Sequence, residues 1–206
     1  MRDTIYSNPL VEVKDFSFDR SVVEVFPDMI QRSVPGYSTI VSSIGKLAAH
    51  FQQDNTNIYD LGCSLGAATI AMRKFVTGDN INIIGVDNSE AMVERCQLHV
   101  NAFKSNVNAE IICADINDIN INNASVVVMN FTLQFIPPEK RLDLLNKIYN
   151  GLRPGGIFIL SEKFTLDQPA INSAINELHL DFKRANGYSE LEISQKRSAI
   201  EHVMKI

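Results

Sequence analysis

The 206-residue chain is 45% hydrophobic and 21% charged, a balance that excludes a disordered protein and suits one full-sized α/β domain. Its net charge of -5 argues against a surface built to bind nucleic acid directly. No apolar run is long enough to span a bilayer. Three widely spaced cysteines and four scattered histidines predict free thiols and no metal site. We therefore expect a cytoplasmic protein without membrane or direct nucleic-acid contacts.

The first 55 residues are predicted to be helical. Apolar residues recur at helical intervals from residue 19 to 51, interrupted by Pro27 and by a turn at 34–37, so two or three helices should precede any strand. Five short, β-rich apolar runs follow, several nearly continuous in hydrophobicity, as strands covered on both faces tend to be. These runs span residues 57–63, 81–88, 109–116, 125–131 and 155–164.

Helices are predicted between these strands and after the last one. One begins at Gly66, another follows Ser89 as its N-cap, and a third has Pro138 in its first turn. The predicted apolar face of this third helix consists of Leu142, Leu145, Ile148 and Leu152. Two further helices are expected at about 168–185 and 189–205.

The alternation of strands and helices predicts an α/β fold with a doubly wound, mainly parallel sheet and an N-terminal helical extension. We expect a single domain, residues 1–206, with a helical cap (1–55), a nucleotide-binding core (56–165) and a C-terminal helical segment (166–206). Sheets of this class usually continue with two more strands. Either these C-terminal strands are missing from this chain, which we expect, or its sheet has only five strands.

Residues 62–66, Gly-Cys-Ser-Leu-Gly, fit two different chemistries. As Gly-x-Ser-x-Gly they would form the nucleophile elbow of a hydrolase, with Ser64 as the nucleophile. Such an elbow normally follows several strands and an oxyanion-hole loop, and a histidine on a later loop completes the triad. Here the motif follows the first strand, and each later histidine lies in a predicted helix. We therefore interpret the motif as a glycine-rich turn whose backbone amides face a nucleotide.

Polar residues at the ends of the next three strands support this interpretation. Asp87 lies about 25 residues after Gly62, near the spacing at which a carboxylate accepts hydrogen bonds from a ribose diol. Asp115 and Ile116 suit an adenine ring, whose amine would donate to the carboxylate while its face packs on the isoleucine. Asn130 ends the fourth strand at the same edge of the sheet. In the alternative interpretation, the two aspartates are only helix N-caps or turn formers.

Several of these stretches resemble the motifs of S-adenosyl-L-methionine (SAM) dependent methyltransferases. "DLGCSLG" resembles their motif I, "VDNS" their ribose motif, "ADI" their adenine motif and "LRPGGIFILSE" the turn into their fifth strand. The resemblance covers about residues 55–165 and implies a Rossmann-like fold with SAM as the nucleotide. Two alternatives stay open: a conventional small-molecule methyltransferase and a non-catalytic SAM-binding module.

Four motifs together resemble a narrower family, the carboxy-S-adenosyl-L-methionine (carboxy-SAM) synthases. They are "FPDMIQRSVPGYS", "YDLGCSLGAAT", "NFTLQF" and "DFKRANGYSELEISQKR". Members of this family use prephenate to carboxylate the methyl group of SAM, and they release phenylpyruvate. Carboxy-SAM then serves a tRNA carboxymethyltransferase that modifies the wobble uridine. The resemblance implies a homodimer without metal, with segment 166–206 near the substrate and the dimer interface.

Site residues are carried over at matching positions only. The implied nucleotide-binding residues are Tyr37, Gly62, Cys63, Ser64, Asp87, Asn88, Asp115, Ile116, Asn130 and Arg197. Arg197 would bind the new carboxylate from across the dimer interface, because a guanidinium offers a planar fork to a carboxylate. Lys183, Arg184 and Lys196 either attract a dicarboxylate such as prephenate or form a solvated face. No residue is predicted as the general base.

Overall fold

The computed structural model describes residues 1–206, which form two compact units. The sheet unit comprises Thr39–Glu162, and the helical unit comprises Met1–Ser38 together with Lys163–Ile206. None of the helices combines the length and the apolar composition that crossing a bilayer would require.

The predicted strands and helices are confirmed in number and order. They are α1 (Arg20–Ser33), α2 (Tyr37–Phe51), β1 (Asn57–Leu61), α3 (Ala67–Phe75), β2 (Asn82–Asp87), α4 (Glu90–Ala102), β3 (Asn108–Cys113), β4 (Ala124–Asn130), α5 (Pro138–Gly151), β5 (Leu152–Ser161), α6 (Pro169–Ala185) and α7 (Glu190–Ile200). A short 3-10 turn at Leu133–Phe135 follows β4 and is not among the sequence predictions. Ser89 caps α4 and Pro138 opens α5, both as expected.

The five strands form one parallel sheet in the order β3-β2-β1-β4-β5. The chain builds outward from β1 to β3, then returns to add β4 and β5 on the other side of β1, which is the doubly wound arrangement that the sequence predicts. In the register, Asp87 lies opposite Cys113, and Asn130 lies opposite Ser161. The carboxyl ends of all strands therefore meet at one edge, with the switch point between β1 and β4.

Both faces of the sheet are covered, which explains the nearly continuous apolar runs. In β4, Val126 and Val128 face the core cluster that contains Met72 of α3, whereas Val127 and Met129 face the cluster on the other side, with α5. Alternate residues of a strand point to opposite faces, so a strand buried on both faces must be apolar at every position. Burying each of these large side chains contributes about 1.5–3 kcal/mol to stability.

Two sequence expectations about α5 and β5 are wrong in detail. Leu142 is 66% exposed, while Leu144 and Ile148 are buried, because residues four apart share a helix face and residues two apart do not. Strand β5 begins at Leu152 rather than at residue 155. The Arg-Pro-Gly-Gly stretch lies within the strand, at a register irregularity opposite Ala124–Val126.

The helical unit is held together by caps and by hydrogen bonds to its N-terminal segment. Asp19 caps α1 by accepting from the backbone N–H groups of Ser21 and Val22 at 2.9 and 3.2 Å. A capping box of Ser189 and Glu192 starts α7. The buried Gln195 of α7 makes hydrogen bonds of 2.7–3.0 Å to backbone groups of the segment before α1. Helix α7 ends at Ile200, so the predicted extension to residue 205 is wrong.

Candidate active site

The loop after β1 is a tight turn tied to the end of β2. The N–H groups of Gly62 and Cys63 both donate to the carbonyl of Val86, at 2.8 and 3.0 Å. Gly62, Ser64 and Gly66 have φ values of 80°, 48° and 83°, in the left-handed region. Serine adopts this conformation only at a cost, so the surrounding hydrogen bonds hold it there.

Gly62 is expected to tolerate no side chain. A Cβ there would lie 2.4 Å from the side chain of Thr132, which follows β4, and φ is already left-handed. We expect Gly62→Ala to displace the loop, to lower the free energy of unfolding by about 3 kcal/mol or more and to abolish SAM binding. Thermal denaturation and calorimetric titration with SAM measure both effects.

Gly155→Ala is the matched control for this prediction. Gly155 also has a φ of 80°, but the nearest atom to its added Cβ would be 3.5 Å away. The Gly155→Ala substitution should therefore lower the free energy of unfolding only by the backbone strain, about 1 kcal/mol, and leave SAM affinity unchanged. Equal losses in the two variants would show that the Thr132 contact has no special role.

Asp87 joins the glycine loop to the start of α4. Its Oδ2 accepts from the N–H of Ser64 at 2.8 Å, and its Oδ1 accepts from the N–H of Ser89 at 2.9 Å. Burial raises the pKa of this carboxyl, and hydrogen bonds from backbone N–H groups partly offset the rise. Asp87 is not the N-cap of α4, since Ser89 has that role. Asn88 lies exposed between them.

At the end of β3, Asp115 forms a turn with Asn117. Its Oδ1 accepts from the backbone N–H and from the side-chain amide of Asn117, both at 2.8 Å. Its other oxygen, Oδ2, takes no part in this turn. Ile116 is only 6% exposed and packs in the core cluster on the α5 side of the sheet.

Asn130 ends β4 with a buried amide oxygen. Its Oδ1 makes no hydrogen bond within the chain, and the same holds for Oε1 of Gln134 in the following 3-10 turn. A buried acceptor without a donor costs about 1–3 kcal/mol. Both residues lie at the carboxyl edge of the sheet, where folds of this class bind their ligands.

Two further carboxylates lie at the site. Asp60 is buried and was missed from the sequence, whereas the half-buried Glu162, with Lys163, was predicted either to face substrate or to form an exposed pair at the end of the fifth strand. Asp60 of β1 is 1% exposed and accepts from the Thr69 hydroxyl of α3 at 2.6 Å. Burial raises its pKa to about 6, the Thr69 hydrogen bonds oppose the rise, and the charge of Asp87 adds to it. Glu162 accepts from the N–H groups of Leu133 and Gln134 at 2.7 and 3.2 Å, and so fixes the turn after β4. In the sequence, the signal for both residues is an acidic side chain within or directly after an apolar strand.

Cys63 contributes its backbone to the loop. Its thiol is buried beside the Cys96 thiol of α4, and the hydrogen bond between them, together with burial, raises the pKa of Cys63 well above its ordinary range. A thiol of this kind is not a nucleophile at neutral pH.

The structure brings eight of the ten predicted residues to one edge of the sheet unit. They are Gly62, Cys63, Ser64, Asp87, Asn88, Asp115, Ile116 and Asn130. The other two belong to the helical unit. Tyr37 is the first residue of α2, partly buried, and Arg197 lies exposed on α7.

Comparison with known proteins decides the family. A family model described as a methyltransferase domain matches residues 58–156. A carboxy-S-adenosyl-L-methionine synthase of Vibrio campbellii is 64% identical over 203 residues, 98% of this chain and 83% of the relative. The enzyme of the same name from Aliivibrio salmonicida is 61% identical over 202 residues, 98% of this chain and 84% of the relative. The chain belongs to the carboxy-SAM synthase family. The family resemblance of the sequence motifs is thereby confirmed, and the protein is an enzyme.

Solved structures confirm the fold class. A protein described as a SAM-dependent methyltransferase from Methanococcus maripaludis is 19% identical, with a TM-score of 0.57 and coverage of 95% of this chain and 88% of that one. An amino pentose methyltransferase from Micromonospora echinaspora, solved with SAM bound, is 13% identical, with a TM-score of 0.54 and coverage of 69% and 58%. The carboxy-SAM synthase family member described here therefore has the Rossmann-like methyltransferase fold.

Proposed function

We propose that the protein converts SAM and prephenate to carboxy-SAM and phenylpyruvate. Family membership over nearly the whole chain supports the product. The observation that carries the proposal structurally is the Asp87 carboxylate, which joins the glycine loop to α4 at the switch-point edge. In the proposal its oxygens accept the ribose hydroxyls, Asp115 and Ile116 hold the adenine, and the unpaired Asn130 oxygen accepts a donor of the nucleoside.

The chemistry of the reaction balances without a metal or an oxidant. A proton leaves the methyl group of the sulfonium, since the positive sulfur stabilises the carbanion that remains. In prephenate the bond from the ring to its carboxylate breaks, the electron pair aromatises the ring, and hydroxide leaves. The carbanion attacks the released CO2, and hydroxide with the proton gives water. A site that excludes bulk water favours this capture over reprotonation.

The product places a new anion beside the sulfonium, so the site needs a cation that a methyltransferase does not. In the proposal this cation is Arg197, reaching the nucleotide of a second subunit. An apolar stripe on α6 supports a homodimer, because the helix buries none of its side chains and Leu178 is 69% exposed. The stripe consists of Ile171, Ile175, Leu178 and Phe182. Isologous pairing of such stripes would cover them.

In this proposal the enzyme works in the cytoplasm and supplies carboxy-SAM to a tRNA carboxymethyltransferase. The net charge of -5 supports an indirect link to tRNA, through a small molecule rather than through binding.

The purified enzyme is expected to make an adenosyl product heavier than SAM by one CO2 when it is incubated with SAM and prephenate. Mass spectrometry of the quenched reaction measures this product, and phenylpyruvate should appear in equal amount. Arg197→Leu should lower kcat/KM about 100-fold, because the developing carboxylate loses a charge-assisted hydrogen-bond partner. Transfer of an unmodified methyl group, with Arg197→Leu fully active, would instead identify a conventional methyltransferase.

A further inference from the structure

We propose that the helical unit holds the side-chain carboxylate of prephenate at Lys163 and Lys183, in a basic cluster that these residues form with Arg197 and His179. The inference rests on the proposed function and adds a binding site for the second substrate. Prephenate carries two carboxylates. One leaves the ring as CO2, and the other remains on the pyruvyl side chain and is still present in phenylpyruvate.

The geometry of α6 and α7 gathers these basic residues around the end of α1. His179 and Lys183 are one turn apart on α6 and share a face. His179 Nε2 lies 2.8 Å from the carbonyl oxygen of Ser33, and Lys196 Nζ of α7 donates to the Ser33 hydroxyl at 3.2 Å. Ser33 therefore fixes the basic faces of the two helices beside each other. Arg197 follows Lys196 on α7.

The neighbouring cations outside this cluster are neutralised within the chain. Lys196 lies 3.2 Å from Oδ2 of Asp3, to which the Tyr188 hydroxyl also donates at 2.5 Å. Arg184 pairs with Asp181 at 2.7 Å and with Glu190 at 2.6 Å.

By contrast, Lys163, Lys183 and Arg197 form no ion pair. Burial and then the positive charges of Lys196, Lys163 and Arg197 lower the pKa of Lys183 to about 8. Burial and the charge of Arg197 lower the pKa of Lys163 as well. Unpaired like charges held together in a folded chain destabilise it, and a bound anion relieves that repulsion.

The reaction places this anion next to Arg197. The CO2 that leaves prephenate becomes the carboxylate that Arg197 binds in the product, so the ring carboxylate must start within reach of Arg197. The pyruvyl side chain is attached to the same ring carbon as the departing carboxylate, and its own carboxylate lies two carbons farther out. The unpaired cations next to Arg197 are Lys163 and Lys183. We assign these two lysines as the partners of the pyruvyl carboxylate.

The test is a double variant, Lys163→Gln with Lys183→Gln. We expect the KM for prephenate and the Kd for phenylpyruvate each to rise about tenfold or more, because a charge-assisted contact is lost, while the KM for SAM stays within twofold. Arg184→Gln is the matched control: it removes an adjacent cation that is already paired, and it should change neither constant. Lys183→Arg should retain most of the prephenate affinity.

The fold of the double variant is checked by its melting temperature, which should match or exceed that of the wild type, since two repelling charges are removed. The pH profile gives a second readout. Prephenate affinity of the wild type should fall as pH rises through about 8, when Lys183, facing Lys163, Lys196, Arg197 and His179, loses its proton. In Lys183→Arg this fall should be absent.

Unchanged prephenate and phenylpyruvate constants in the double variant would overturn the site while leaving the proposed function intact. If the wild type makes no carboxy-SAM, the proposed function fails, and phenylpyruvate titration still tests the site by itself. If the wild type binds phenylpyruvate and the double variant does not, the result supports an aryl-pyruvate site in the cluster. Absence of phenylpyruvate binding to the wild type overturns it.

Discussion

Asp87→Asn is expected to raise the KM for SAM about 100-fold, which corresponds to about 2.7 kcal/mol of binding free energy. The amide keeps one oxygen and replaces the other by an NH2 group, which would face either the N–H of Ser64 or that of Ser89. One backbone N–H then loses its acceptor, and one ribose hydroxyl loses its charged acceptor, the carboxylate oxygen. Initial rates at varied SAM concentration measure the effect, and we expect the free energy of unfolding to fall by about 1–2 kcal/mol.

Asp54→Asn is the matched control for this prediction. Asp54 also accepts a backbone hydrogen bond, from Asp79 at 2.9 Å, but it precedes β1 and so lies at the amino end of the sheet. The amide oxygen of the substituted side chain can take over that bond, so the KM for SAM should not change. A normal KM in Asp87→Asn would remove this carboxylate from the proposed ribose site.

Mixing two impaired variants, assayed at a SAM concentration near the wild-type KM, is expected to restore activity if Arg197 acts across a dimer interface. One variant is Asp87→Asn, which keeps Arg197, and the other is Arg197→Leu, which keeps the SAM site. In a mixed dimer one of the two sites is intact. After random exchange of equal amounts, about half of the dimers are mixed, so turnover should recover to about a quarter of the wild-type value.

The control for the mixing experiment is each variant alone at the same total concentration, with the dimer mass checked by light scattering. Recovery should depend on subunit exchange and should be lost if exchange is prevented by crosslinking each variant beforehand. A monomeric mass, or no recovery after proven exchange, would place Arg197 in the same subunit as the nucleotide that it serves.

The parts of the fold that the sequence predicts well are those set by local rules. Ser89 was identifiable as a cap because its hydroxyl can accept from the N–H of Met92, and the helix that follows is amphipathic. Strand β4 was identifiable because its sequence is an almost continuous apolar, β-branched run. The structure buries its first six residues, Ala124 to Met129. The spacing from Gly62 to Asp87 follows from the length of one strand-helix-strand unit, which the fold class fixes.

The parts that the sequence does not predict depend on tertiary contacts. Leu142 and Leu144 are both leucines of α5. Which of them is buried depends on which face of the helix packs against the sheet. Glu162 directly follows β5, yet its carboxylate accepts from the turn after β4, a contact between segments 29 residues apart. The pairing of β5 with β4 sets that distance, and no local pattern shows it.

The glycine loop is anchored to the last two residues of β2, since the Val86 carbonyl and the Asp87 carboxylate accept three hydrogen bonds from its backbone N–H groups. Inserting one residue into β2 would therefore turn the carboxylate to the opposite face of the sheet and leave the loop without its anchor. The turn at 77–80, at the opposite edge, is hydrogen-bonded to Gln52 and Asp54 before β1 and makes no contact with the glycine loop. Among natural or engineered relatives, changes in chain length should accumulate in that turn and stay out of β2.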